Sequence, residues 1–207
     1  MDENLIRPKE LKYFGCAIGK YEMPTNLIKE LNVIFDEHKD SKKLFSYGQN
    51  LAGQIKEEWD ALNLLNKDVI QFFKNCIFNY LYLTVSKPKV IKKISINSCW
   101  FNDQKENEYN PLHGHSGKSI LGVSSVLFLK IPLAIKNAKQ KNENEEPKDG
   151  RLQFVSGVKN FFTVNAYCID PVVGDFYLFP YELPHTVYPF KGEGIRRSLS
   201  FNADIYL

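Results

Sequence analysis

Apolar and polar positions change their period near residue 89. Before that point apolar residues recur three and four apart. In MPTNLIKELNVIFDEHKD (residues 23 to 40), Leu27, Leu31, Ile34 and Phe35 share one face of a helix, with Thr25 or Asn26 as its N-cap. LNKDVIQFFKNCIFNYLYLTV (65 to 85) repeats the pattern with Val69, Phe72, Phe73, Cys76 and Leu81. Stripes of this width face a core, so both segments are read as amphipathic helices packed on a larger body.

After that point the alternation is that of strands. KVIKKISINSCWFN alternates from residue 89, and SILGVSSVLFLKIP is a β-branched, apolar run that stops at Pro132. RLQFVSG, NFFTVNAYCI, GDFYLFP, PHTVYPF and RRSLSFNADIYL follow, each short and separated by Gly or Pro. Such a series predicts an antiparallel sandwich, barrel or jelly roll. Between them AIKNAKQKNENEEPKDG is polar and charged, so 135–149 is expected to be an exposed loop or hairpin tip. The chain is therefore read as one domain over 1–207, of α+β but mainly β class. Its 1–88 part is mainly helical and supports a β-body over 89–207.

Composition narrows the class of function. Hydrophobic residues make up 43%, aromatics 14% and charged residues 25%, which suits a soluble globular protein with a sizeable core. The formal charge of +3, from 27 basic and 24 acidic side chains, is too balanced to predict nucleic-acid binding. Cys16, Cys76, Cys99 and Cys168 form no CxxC pair, which argues against a structural zinc site or a disulfide framework and for a reduced, cytoplasmic setting. MDENLIRPKE is charged and lacks the apolar core of a secretory signal, and no apolar run is long enough to span a membrane. The N-terminal helices suit either of two roles, to buttress the β-body or to pair two copies as a homodimer.

Candidate chemistry sits on the histidines. There are four, and three fall in the β part: His113 and His115 in NPLHGHSG, and His185 in ELPHTVYPF. Positions i and i+2 of a strand point to one side, so His113 and His115 can aim two imidazoles at one point. Imidazole suits zinc, copper, iron and nickel, and a third ligand far along the chain is ordinary in a closed β-fold. One short turn after His185, the strand IRRSLSFN puts Arg196, Ser198 and Ser200 on one side and Arg197, Leu199 and Phe201 on the other. An arginine fork donates two parallel hydrogen bonds to a carboxylate, and a serine hydroxyl adds a third. A metal site followed by Arg-x-Ser can hold a diacid, one end on the metal and the other on Arg196. Arg197 is the alternative anchor. Asp175 is the alternative third ligand to His115, although Gly174-Asp175 is also ordinary turn chemistry. Trp100, Asn102, Tyr109 and Phe128 are candidates for a substrate pocket, each with packing or a turn as its plain alternative.

These pieces, in order, resemble the 2-oxoglutarate- and iron(II)-dependent oxygenases. The likeness is to the prolyl-4-hydroxylase-like branch, and within it to a group found in phages and marine bacteria. NPLHGHSG stands where that superfamily has H-x-D. GRLQF resembles its Gly-x-Leu strand, VVGDFYLFPYELPHTVYPF its G-x-x-x-x-F-P and H-x-V-x-P segments, and IRRSLSFN its R-x-S. The resemblance implies a double-stranded β-helix and an Fe(II) centre on His113, His115 and His185. It also implies 2-oxoglutarate held by Arg196 and Ser198, and hydroxylation of a small-molecule or peptidyl substrate with release of succinate and CO2. One departure is plain: His115 occupies the carboxylate position, so the ligand set is three neutral imidazoles unless water or Asp175 completes it. Two other readings compete. One is a three-histidine cupin-like metalloenzyme that does not use 2-oxoglutarate; the other is a non-catalytic β-module of phage type.

Overall fold

The computed structural model describes residues 9–14, 16–40, 46, 48, 53–84, 91–138, 148–158 and 165–207. Among them, strands β1 (Glu10–Phe14), β2 (Cys16–Glu22), β3 (Glu58–Asp60), β4 (Lys93–Gln104), β6 (Leu121–Lys130), β9 (Asp175–Pro180) and β11 (Arg196–Tyr206) form one antiparallel sheet in the order β1-β2-β9-β6-β11-β4-β3. A second sheet has the order β5-β10-β7-β8, from β5 (Asn110–His113), β7 (Leu152–Val155), β8 (Ala166–Ile169) and β10 (His185–Val187). The two sheets lie face to face as a jelly roll, and the order of strands closes the double-stranded β-helix expected from the sequence.

The large sheet is buried on both faces, and strand alternation decides which side chain goes where. In β9, Phe176 and Leu178 join the core under the helices, while Tyr177 and Phe179 enter the space between the sheets. In β6, Leu127 and Leu129 take the first side and Val126 and Phe128 the second. Helix α1 (Thr25–Asp40) buries Leu27, Leu31 and Phe35 on the outer side, with Phe35 stacked on Phe101 at 4.1 Å. Helix α2 (Lys67–Thr84) buries Val69, Phe72, Phe73, Cys76, Ile77, Tyr80 and Leu81. Asn66 caps it, its Oδ1 accepting the Val69 N–H at 2.9 Å. Phe73 packs against Phe201 at 4.8 Å and Phe176 at 5.1 Å, so α2 is fastened to strands far away in sequence. Each buried ring is worth roughly 1.5–3 kcal/mol of apolar transfer.

Besides α1 and α2, the N-terminal part carries three strands among the described residues. β1 and β2 form a hairpin that extends the large sheet beyond β9, and β3 forms its opposite edge against β4. The burial pattern of β2 does not alternate cleanly, and its strand state comes from pairing with β9 rather than from local propensity. A short helix, α3 (Leu133–Lys136), follows β6. Most of the expected loop 135–149, namely 139–147, lies outside the described residues. No helix among the described residues is long and apolar enough to cross a membrane.

Candidate metal and anion site

The three clustered histidines meet between the sheets. One nitrogen from each of His113, His115 and His185 lies within 4.8 Å of the others, and no other Cys, Asp or Glu joins this group among the described residues. Ring centroids are 5.0 Å apart for His113–His115, 4.3 Å for His113–His185 and 5.1 Å for His115–His185. β5 and β10 put His113 directly opposite His185. Both rings are oriented by the backbone. The Pro111 carbonyl lies 2.7 Å from His113 Nδ1, and the Leu183 carbonyl 2.9 Å from His185 Nδ1. A carbonyl only accepts, so each Nδ1 carries the proton and each Nε2 keeps a lone pair. This is how proteins fix the tautomer of a metal-binding imidazole.

His115 reaches the cluster by a different route from the one its spacing suggests. β5 ends at His113, so the shared face of one strand does not apply. His115 sits in the following loop, and its N–H donates to the Tyr181 carbonyl at 2.9 Å. Burial, with His113 nearby, pushes His115 down to about 4. Burial likewise pushes His185 down to about 3, His113 and His115 adding to it against the Leu183 hydrogen bond. Both are neutral bases near pH 7, ready to donate to a cation.

The pocket that holds the histidines also holds Arg196 and Ser198. Arg196 is 1% exposed; its Nε donates to the Gly150 carbonyl at 2.9 Å and its Nη1 lies 3.5 Å from Ser198 Oγ. Its guanidinium carbon lies 4.9 Å from the centre of the Phe128 ring, and Nη2 has no partner. No carboxylate among the described residues balances this charge, and burial lowers the guanidinium to about 9. Gly150 adopts φ +64°, a conformation that favours glycine, and a Cβ there would come within 2.4 Å of Ile135.

The neighbouring arginine is the opposite case. Arg197 faces the helices, bonds Asp103 through Nε (2.6 Å) and Nη2 (2.7 Å), and meets Asp36 at 2.8 Å. Strand alternation thus separates two adjacent arginines into one paired with carboxylates and one that meets none among the described residues. Arg197 is excluded as the anchor.

The remaining expected residues divide. Trp100 and Asn102 line the pocket. Phe128 does not; it is the platform under Arg196. Tyr109 is 41% exposed and lies off the pocket, next in sequence to the buried, pocket-lining Asn110. Asp175 is no ligand: it pairs with Lys20 at 2.8 Å and accepts from Tyr177 at 3.3 Å. It stands four residues before Phe179, the residue that contacts His185, which is about 13 Å at strand rise. Ile55, which also lines the pocket, carried no signal, since it comes from an irregular segment before β3. Ser200 lines it too and was legible from the parity it shares with Arg196 and Ser198.

The sequence over residues 98–202, just over half of the chain, matches the profile of the family described as "Putative 2OG-Fe(II) oxygenase". Comparison with curated proteins finds no match. Solved structures do resemble it. A prolyl-4-hydroxylase from Pseudomonas putida is 16% identical with a TM-score of 0.57, over 91% of this chain and 91% of that one. HygX from Streptomyces hygroscopicus, with nickel and 2-oxoglutarate bound, is 11% identical with a TM-score of 0.58, over 90% and 82%. The viral collagen prolyl hydroxylase of Paramecium bursaria Chlorella virus-1, in its 2-oxoglutarate complex, is 13% identical with a TM-score of 0.54, over 90% and 96%. At these identities the likeness is one of fold.

Proposed function

The chain belongs to the 2-oxoglutarate- and iron(II)-dependent oxygenases, and from that premise we propose that His113, His115 and His185 hold the iron while Arg196 and Ser198 hold the far carboxylate of 2-oxoglutarate. The residues fit both groups. Two of the imidazoles have Nδ1 fixed on a carbonyl, and the three rings converge with their donor atoms within 4.8 Å. Arg196 presents an unpartnered Nη2 on a buried guanidinium. That orphaned donor is the observation that carries the assignment, because an uncompensated buried cation is costly until an anion meets it.

When bound, iron and 2-oxoglutarate supply oxidative decarboxylation to succinate and CO2 coupled to hydroxylation of a substrate C–H bond. The chain supplies position and dryness. Pro111 and Leu183 carbonyls keep two imidazoles in the donating tautomer. Arg196 and Ser198 define the anion end, and the Gly150 carbonyl and the Phe128 ring hold the guanidinium in place. Phe179, Leu152 and Val187 are apolar walls that exclude water around the histidines. Trp100 and Asn102 stand on the pocket face of β4, where a substrate would be oriented. The substrate is a small molecule or a peptidyl side chain.

A cosubstrate-free three-histidine dioxygenase would leave Arg196 without an anion, which favours the 2-oxoglutarate reading. The test is an anaerobic titration of metal-free protein with Fe(II) and 2-oxoglutarate, reading the visible charge-transfer band of the chelate. A band abolished by His113→Ala and by Arg196→Ala is the expected result. Iron binding without any band would overturn the role given to Arg196, and no iron binding would overturn the ligand assignment.

A further inference from the structure

His115 stands in a loop, and what holds that loop comes from the turn after β9 and from strands of the large sheet. The residue whose carbonyl takes the His115 N–H, Tyr181, is 1% exposed. Its own N–H donates to the Gly122 carbonyl at 3.3 Å. Its phenol donates to Asp204 Oδ1 at 3.3 Å and accepts from Asn97 Nδ2 at 3.2 Å. Asn97 also donates to Asp204 Oδ2 at 2.9 Å. Asp204, 1% exposed, in turn accepts the Ser119 N–H at 3.2 Å, and Ser119 Oγ donates to the Ile205 carbonyl at 2.7 Å. The loop from 114 to 120 is therefore tied at its start through His115 and at its end through Ser119, to two buried residues of one network, Tyr181 and Asp204.

The packing is equally close. A Cβ on Gly117 would fall 2.1 Å from Asp204 Oδ1 and 2.7 Å from the Tyr181 ring, and one on Gly122 would fall 1.9 Å from that ring. Neither glycine has a positive φ, so both are glycines for contact and not for conformation. The ring lies on bare backbone in the middle of the loop and just past its end, in β6. His113 and His185 gain their orientation from local carbonyls two residues away; His115 has no such bond among the described residues, and its backbone N–H is held by Tyr181.

We propose that Tyr181, with Asp204 and Asn97, is the positioning residue of His115, the clamp that brings a loop histidine to the place where a strand carboxylate would otherwise stand. The inference rests on the metal assignment above. Tyr181 touches neither metal nor cosubstrate; it acts through the backbone of His115 and through the loop.

The test is Co(II) binding to metal-free protein, read by its visible absorption, in a double-mutant cycle. Tyr181→Phe keeps the ring and removes the hydroxyl; Asn97→Ala is the second variant and leaves the phenol in place. Each is expected to raise the Co(II) Kd about ten-fold, the range for groups that orient ligands, and to change the band that reports coordination. In a His115→Ala background the same substitutions are expected to move Kd by less than about two-fold, because the residue they position is gone. Thermal melting of each metal-free variant separates loss of folding from loss of positioning. Equal losses in both backgrounds, or no loss in the native one, would overturn the clamp while leaving the metal site standing. Native protein that binds no Co(II), or binds it equally after His113→Ala, would overturn the metal assignment and the clamp with it.

Discussion

Arg196 and Arg197 are adjacent in sequence and opposite in role. The difference lies in what surrounds each guanidinium and not in the side chain. Arg196→Lys keeps the charge but loses the fork, so the KM for 2-oxoglutarate is expected to rise at least about ten-fold, since one bonded charge pair is worth about 1.5–3 kcal/mol. Initial rates against 2-oxoglutarate concentration test this. The histidines give a pH prediction. Burial pushes His115 and His185 down to about 4 and about 3 in the folded chain from an ordinary 6.5. Between those values the unfolded chain takes up protons that the folded chain refuses. Their full contribution is present above about 6.5 and is lost progressively as pH falls toward 3. The urea midpoint of metal-free protein is expected to fall from pH 7 to pH 5, and His185→Gln is expected to flatten that slope.

The helices and the large sheet are joined by one ion-pair network as well as by apolar packing. Asp36 and Asn32 of α1, Asp103 of β4 and Arg197 of β11 converge, and Lys39 adds a contact to Asp103 at 3.1 Å. Asp103 is fully buried. Arg197→Met would leave it facing one partly exposed lysine, at a cost of about 3–5 kcal/mol. Urea unfolding is expected to show that loss while 2-oxoglutarate affinity in the surviving folded protein stays unchanged. Phe73→Ala, at the contact of α2 with β9 and β11, is expected to cost about 3–5 kcal/mol by leaving a cavity, again without touching the pocket. These two substitutions and Arg196→Lys together separate the scaffold face of the sheet from the working face.

For the molecule as a unit, ligand binding and folding are linked, because the pocket is assembled from both sheets. Ni(II) alone is expected to raise Tm, and Ni(II) with 2-oxoglutarate to raise it further, each by an increment set by ligand concentration over Kd, about 2.7 kcal/mol at a hundred-fold excess. Arg196→Ala is expected to remove the second increment and keep the first, as differential scanning calorimetry can show. What was legible in the chain follows from periods that are local: the stripes of α1 and α2, the alternation of β4, β6, β9 and β11, and the side of the strand shared by Arg196, Ser198 and Ser200. Those depend on residues two to four positions apart, where backbone geometry alone fixes direction. What required the folded molecule is whatever depends on distant partners. The β1–β2 hairpin is a strand pair because β9 offers it an edge. His115 comes to the cluster because Tyr181 holds its loop. Arg197 is paired and Arg196 bare because the carboxylates of α1 and β4 lie on one side of β11 and on that side only.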